Sequence, residues 1–148
     1  MKIKEFLSPA DVMIDVAASD KRKLLAELAL KAGASLDIEP DHVLAELIRR
    51  EDLGSTGVGG GVAIPHARFP QLDKPYGVVV RLRRPMDFDA VDNKSVDIVF
   101  LLLLPEAANR ERLGALAAIT RKLRDPAVAA ALRGARDATQ LYAAVATD

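Results

Sequence analysis

The stretch Val96-Asp97-Ile98-Val99-Phe100-Leu101-Leu102-Leu103-Leu104 limits the folds open to this chain more than any other. It is almost continuously apolar, β-branched at its start, and closed by Pro105. That is the pattern of a strand covered on both faces. At seven residues, the uninterrupted run Ile98 to Leu104 is far below the roughly 18–20 needed to cross a bilayer. A strand of this kind needs helices above and below its sheet. The fold class expected is therefore α/β: a single-domain sandwich over residues 1–148, with a central mixed β-sheet flanked by helices.

The remaining elements fit that frame. Ser8-Pro9 signals a turn, and Val12 to Val16 a short strand. Ser19 is suited to cap a first helix in which Leu24, Leu25, Leu28, Ala29 and Ala32 recur at helical spacing, with Gly33 at its end. Pro40 opens a second helix striped by Val43, Leu44, Leu47 and Ile48 and ending near Asp52. Gly77 to Leu82 reads as a strand, and Arg84-Pro85 through Asn93 as turn and loop. Asn109 or Glu106 is placed to cap a third helix carrying Leu113, Leu116, Ala117, Thr120 and Leu123. Pro126 opens a fourth, and Asp137 caps a fifth through Leu141 and Val145. No repeat, low-complexity tract or second domain interrupts the pattern.

Composition narrows the function classes. Acids and bases balance at 21 each, which argues against a nucleic-acid binder resting on a positive field. The chain has no cysteine, so it offers no disulfide framework, thiolate metal site or thiol nucleophile. No basic-then-apolar leader opens it. A soluble cytoplasmic protein, not membrane-embedded, is the expectation.

The chemistry concentrates between Arg50 and His66. Five of the nine glycines fall in the eight positions from Gly54 to Gly61, at a cost of roughly 0.5–1 kcal/mol each in regular structure. Such density belongs where backbone turns tightly or approaches something closely. The loop is neither a Walker A sequence nor a dinucleotide fingerprint, and Leu53-Gly54-Ser55-Thr56-Gly57 is no nucleophile elbow.

Two histidines are present. His42 points away from the apolar stripe of its helix, into solvent. His66 follows Pro65 at the end of an apolar segment beside the glycine loop. A histidine so placed serves as general base, metal ligand, phosphate acceptor or structural cap. No second histidine or cysteine lies at ligand spacing, so no metal is expected. Gly57, Ser55 and Thr56 beside His66 favour a phosphoryl group, since imidazole is nucleophilic near neutral pH. Backbone N–H groups, hydroxyls and a guanidinium should then surround the phosphoryl oxygens.

Arg50 lies at the edge of the second helix stripe, leaning toward the loop, whereas Arg49 points to solvent. A cation complementing the helix C-terminus is the other reading of Arg50. Arg112 lies one turn before Leu116, at the margin of the third helix's stripe. Glu51 points toward the middle of its own stripe and, if buried, needs a partner: an arginine or a loop N–H.

The run Arg50-Glu51-x-x-Gly54-Ser55-Thr56-Gly57-Val58-Gly59-x-Gly61-Val62-Ala63-Ile64-Pro65-His66 resembles the signature of the fructose/mannitol-type enzyme IIA domains of the bacterial phosphotransferase system. Pro85-x-Asp87-Phe88-x-Ala90-x-Asp92, Val96-Asp97 and Leu103-x-Pro105 extend the resemblance over nearly the whole chain. It is closest to the family's stand-alone nitrogen-regulatory branch. The resemblance implies a phosphocarrier without cofactor: His66 takes a phosphoryl group on Nε2 from an HPr-like protein (NPr in the nitrogen branch), itself charged from phosphoenolpyruvate through an enzyme I homologue. The family's active-site arginine maps onto Arg50 and its loop hydroxyls onto Ser55 and Thr56. Many members carry a second histidine where this chain has Arg112, a departure that puts onward relay in doubt. It leans toward regulation of targets such as potassium-transport or sensor-kinase proteins. The alternative is a sugar-transport IIA that passes its phosphate to a IIB domain.

Overall fold

The computed structural model describes residues 1–107 and 110–147. After a 3-10 turn at Ile3–Glu5 the elements run β1 (Leu7–Val16), α1 (Lys21–Leu36), α2 (Pro40–Asp52), β2 (Gly57–Gly59), β3 (Val62–Ala63) and β4 (His66–Phe69). They continue with β5 (Tyr76–Met86), β6 (Val96–Pro105), α3 (Arg110–Arg124), α4 (Pro126–Gly134) and α5 (Ala138–Ala146). The six strands form one mixed sheet in the order β1-β5-β6-β3-β2, with β4 also paired to β6. β6 runs antiparallel to β5 and parallel to both β3 and β4. The α/β sandwich expected from the apolar run is the fold observed.

Alternation along β6 divides the core in two. Val99, Leu101 and Leu103 face one side and pack with Leu24, Leu28, Val43 and Leu47 of α1 and α2. Ile98, Phe100, Leu102 and Leu104 face the other, against Ile119, Leu132, Leu141 and Val145 of α3, α4 and α5. Each side chain fully withdrawn from water in this way contributes roughly 1.5–3 kcal/mol. The strand cannot slip by one residue without exchanging the two faces.

Several boundaries differ from the sequence expectation. β1 begins at Leu7 and runs through Ser8-Pro9. Among the described residues it pairs only with β5, and its register shifts between Leu7 and Val12, so the missing N–H of Pro9 falls on an edge strand, where it is tolerated. β5 continues through Arg84-Pro85 to Met86, and there too the register with β6 is irregular. Asp20, not Ser19, caps α1, accepting from the Lys23 N–H at 2.8 Å. The helix passes through Gly33 and ends at Asp37, whose φ of 55° is left-handed. Gly33 is needed for close approach, because a Cβ there would lie 2.6 Å from the Ile38 carbonyl oxygen. Of the two capping candidates for α3, Asn109 lies outside the described residues. Asp125 and Asp137 cap α4 and α5 through the Ala127 and Gln140 N–H groups.

Gly77 tests the packing around β6. A Cβ at this position would sit 2.7 Å from the buried Phe100 ring and 3.1 Å from the Phe6 carbonyl oxygen. Gly77→Ala is expected to cost about 1–3 kcal/mol, as overpacking of close-packed cores does. Urea unfolding should show a lower midpoint at unchanged slope; an unchanged midpoint would mean that the Phe100 ring moves aside freely.

Candidate functional site

The path from α2 to His66 is fixed first by Glu51, a buried carboxylate in the last turn of the helix. Its Oε1 accepts the Thr56 backbone N–H at 3.0 Å and its Oε2 the Thr56 hydroxyl at 2.5 Å. Lys21, at the start of α1, brings its ammonium 2.9 Å from Oε1. The same ammonium lies 4.5 Å from the centre of the Phe88 ring and donates to the Phe88 carbonyl at 3.3 Å. The partner Glu51 requires is thus a loop N–H, as expected, together with a lysine in place of an arginine. Nothing in the sequence pairs Lys21 with Glu51 across thirty positions; only the packing of α1 on α2 does.

The glycine-dense segment that follows is a hairpin. Gly59, Gly60 and Gly61 have φ of 100°, 67° and 79°, a left-handed succession that only glycine adopts readily. The Gly60 N–H donates to Asp92 at 3.0 Å, and its carbonyl accepts from Arg133 Nη2 at 2.8 Å. Arg133 also grips Asp97 through two nitrogens. A Cβ at Gly61 would lie 2.5 Å from the Arg133 guanidinium. The close approach that the glycine density signals is therefore that of α4 to the β2–β3 turn.

His66 opens β4, half-buried, with Ala67, Arg68 and Phe69 paired to β6 beyond it. Its Nδ1 lies 2.7 Å from the Ile64 carbonyl oxygen, across Pro65. A carbonyl only accepts, so Nδ1 carries the proton and Nε2 presents its lone pair. Burial holds the imidazole below its ordinary pKa. The Ile64 carbonyl opposes that shift, Arg50 reinforces it and Glu51 opposes it. The net result is a neutral ring at pH 7 with one nitrogen fixed and the other nucleophilic.

A groove of about 640 Å³ opens over this ring. Glu46, Arg49, Arg50 and Leu53 of α2 form one wall, and Arg112, Leu113 and Leu116 of α3 the other. His66, Ala67 and Arg68 lie between, with Leu104 and Glu106 at the end of β6. Arg50 Nη1 donates to the Gly54 carbonyl at 2.8 Å and Arg112 Nη1 to the Glu106 carbonyl at 2.7 Å. The structure thus gathers His66, Arg50 and Arg112 in one cleft.

Ser55, Thr56 and Gly57 do not line it. The Ser55 hydroxyl donates to the Phe88 carbonyl at 2.6 Å and accepts the Gly57 N–H at 3.0 Å. Thr56 is committed to Glu51, and Gly57 packs where a Cβ would meet Ala90 at 2.7 Å. His42 is not simply solvated: its ring meets Phe69 edge-to-face at 5.5 Å. Arg68 and Glu106, which sequence reasoning passed over, enter the groove because β4 and the end of β6 bring them to the same rim; alternation along a four-residue strand is too short a signal to place them. Among the described residues, no group of three or more histidine and carboxylate side chains gathers at metal-binding distance. Among the described residues, too, no helix is long and apolar enough to cross a membrane.

Comparison with known proteins first identifies the fold class. The enzyme IIA mannitol crystal structure from Escherichia coli superposes with a TM-score of 0.73 at 20% identity, over 94% of this chain and 98% of that one. The nitrogen regulatory protein IIA-Ntr from Neisseria meningitidis superposes with a TM-score of 0.91 at 34% identity, over 97% and 98% of the two chains. Residues 5–147 match the family described as "Phosphoenolpyruvate-dependent sugar phosphotransferase system, EIIA 2". The chain belongs to this family. Within it, the chain is 43% identical to the nitrogen regulatory protein of Bradyrhizobium diazoefficiens, over 99% of this chain and 95% of that protein. The corresponding protein of Pseudomonas aeruginosa is 36% identical, over 96% and 93%. Over nearly its whole length the chain is thus similar to nitrogen regulatory IIA proteins.

Two measurements test the site's construction. Glu51→Ala strands the Thr56 donors and the Lys21 ammonium, and breaking a buried pair in this way costs about 3–5 kcal/mol. Denaturant unfolding should register that loss; a change below about 1 kcal/mol would mean that water replaces the carboxylate. The His66 ring resonances should titrate with a midpoint below about 6.5, the ordinary imidazole value. The native state then binds fewer protons than the unfolded chain between the two pKa values, so His66 lowers stability as pH falls through that window and has no such effect above it. A midpoint at or above 6.5 would contradict the burial of the ring.

Proposed function

We propose that His66 Nε2 accepts a phosphoryl group from the phosphohistidine of an HPr- or NPr-like carrier, and that the protein regulates partner proteins according to whether it carries that group. The observation that carries this reading is the 2.7 Å contact between Nδ1 and the Ile64 carbonyl, which leaves Nε2 unprotonated on a ring that lines the groove. In the step itself, the Nε2 lone pair bonds to phosphorus while the P–N bond to the donor breaks and its electron pair returns to the donor imidazole. The His66 ring becomes an N-phosphoimidazolium, and its proton stays on Nδ1, donated to the Ile64 carbonyl oxygen throughout. That carbonyl and the nearby Glu51 carboxylate both favour the positive ring. Arg50 and Arg112 supply positive charge for the phosphoryl oxygens from opposite walls, as preorganised cations do in phosphoryl transfer.

Phosphorylation adds about −1.5 to −2 charge to a groove walled by arginines and leucines. That changes what the groove binds and gives the modification its regulatory output. The targets that fit this reading are proteins such as potassium transporters or sensor kinases; relay to a IIB domain is the competing fate of the same phosphate. A neighbouring sugar-permease gene would favour relay, and a sigma-factor or NPr gene regulation.

The test is incubation with phosphoenolpyruvate, enzyme I and an HPr- or NPr-like carrier, followed by intact mass measurement. A gain of about 80 Da, one phosphoryl group, is expected in the parent protein and absent in His66→Ala; labelling that survives the substitution would overturn the assignment. Arg50→Ala should slow single-turnover transfer about 10²-fold, the lower range for loss of one charge-stabilising donor. An unchanged rate would leave Arg50 as a helix-terminal clamp on Gly54.

A further inference from the structure

An unbroken run of hydrogen bonds joins the start of α1 to the imidazole. His66 Nδ1 donates to the Ile64 carbonyl at 2.7 Å, and the Ile64 N–H donates to the Thr56 carbonyl at 3.0 Å. Thr56 gives its own N–H and its hydroxyl to the two oxygens of Glu51. The Lys21 ammonium closes the run, 2.9 Å from Glu51 Oε1. Glu51, Thr56 and Ile64, the links between the two ends, are all buried.

The Ile64 oxygen is the link that bears on chemistry. Two anchors place it: the Ile64 N–H on Thr56 behind it, and the Pro65 carbonyl ahead of it, which accepts the Leu102 N–H of β6 at 2.9 Å. Pro65 has no N–H with which to add a third. If Thr56 lets go, the oxygen is held from the β6 side alone. Which nitrogen of a histidine carries the proton is set by the partner of the other. A carbonyl that drifts beyond hydrogen-bonding distance, about 3.2 Å, no longer makes that choice.

The far end of the run is an odd place for a cation. Lys21, Arg22 and Lys23 open α1 in succession, where the helix macrodipole disfavours positive charge. Arg22 and Lys23 are exposed, but the Lys21 side chain is turned inward and only 18% exposed. Besides Glu51 it reaches the Phe88 carbonyl, the same oxygen that accepts the Ser55 hydroxyl. One ammonium thus pins both the carboxylate and the backbone that leads into Thr56. Asp89, 4.0 Å away and 79% exposed, is too well solvated to compete. Neutralising a buried carboxylate would account for the ion pair by itself. It does not account for Glu51 spending both oxygens on the one residue whose carbonyl holds Ile64. Without the ammonium, burial favours the protonated acid, which is itself a donor and grips the two Thr56 donors less well.

We propose that Lys21 is a positioning residue for the phosphoryl acceptor. Acting through Glu51, Thr56 and the Ile64 carbonyl, it keeps the His66 proton on Nδ1 and so dictates that Nε2 is the nitrogen that reacts. The inference deepens the phosphoryl-acceptor reading and rests on it for its functional weight, but the tautomer is measured with no phosphoryl group present.

The experiment is NMR of the unphosphorylated protein carrying isotope-labelled histidine, above the midpoint of the His66 ring, where nitrogen shifts and ring couplings tell N–H from bare nitrogen. His42, outside the run, is the internal control. The parent His66 should show the Nδ1–H form almost alone. In Lys21→Met, which keeps the stem and removes the charge, the Nδ1–H share should fall about threefold or more, and single-turnover phosphoryl transfer by the same factor, because only that share is competent. Lys21→Arg keeps the charge and should restore both. Thr56→Val removes the hydroxyl bond at nearly constant shape and should shift the tautomer in the same direction; it tests the next link should Lys21→Met fail to fold, which circular dichroism checks.

A Lys21→Met protein that is less stable yet keeps the parent tautomer would overturn the inference, leaving Lys21 a neutralising charge and β6 the sole support of the Ile64 oxygen. So would slower transfer at an unchanged tautomer, or a Lys21→Arg ring that stays shifted. If the tautomer follows Lys21 while the parent takes up no phosphoryl group, the acceptor reading fails alone. If the parent is labelled and its tautomer ignores both Lys21 and Thr56, this inference fails alone.

Discussion

Everything in this molecule hangs on β6 being apolar on both faces. Water must be kept from eight consecutive fully or nearly fully buried positions, Ile98 to Pro105, and only two separate helical layers can do so. Once α1 and α2 cover one face and α3, α4 and α5 the other, the ends of α2 and α3 face each other across the sheet. At that place β6 has β5 on one side and the four-residue β4 on the other, so on that second side the sheet stops at β4 and the two layers frame an open edge. His66 is the first residue of that edge strand. The groove follows from the way the core is covered.

The electrostatics are arranged by depth. Nearest the core, Glu51 is closed off by Thr56 and Lys21, and this buried charge is satisfied before any ligand arrives, as buried charges must be. One level out, the His66 ring is neutral because burial outweighs the Ile64 carbonyl and the Glu51 field. Outermost are the arginines, which keep water around their charged ends while their stems lie along the groove walls. A negative group entering from outside meets cations first and the neutral nucleophile last. Glu51 is too deep and too well paired to repel it.

The sequence was most legible where one physical rule acts alone. The double-sided strand, the helical stripes, the start of α4 at Pro126 and the cap at Asp137 are local patterns, and they appear in place. His66 stood out through its Pro65 neighbour and its isolation from other metal-type ligands. The reading weakened where a residue type admits two uses. Glycine density reports close approach without saying of what, and here Arg133 of α4 supplies it. Ser55 and Thr56 are hydroxyls beside a histidine in the sequence, yet both point their bonding capacity at Phe88 and Glu51. Proline reads as punctuation, but Pro9 and Pro85 fall where a strand is at the sheet edge or its ladder is irregular, so the strands run through them.

The groove separates two kinds of residue by what they cost to change. His66, Glu51 and Thr56 are held by hydrogen bonds, and the last two are buried; altering them disturbs the frame. Arg49, Arg68, Leu53 and Leu113 are exposed, and substitutions at such positions usually change stability by no more than about 0.5 kcal/mol. The rim is therefore free to drift while the floor stays fixed. A lineage carrying this sheet edge acquires new correspondents by rewriting a handful of surface side chains, without relearning the chemistry beneath them.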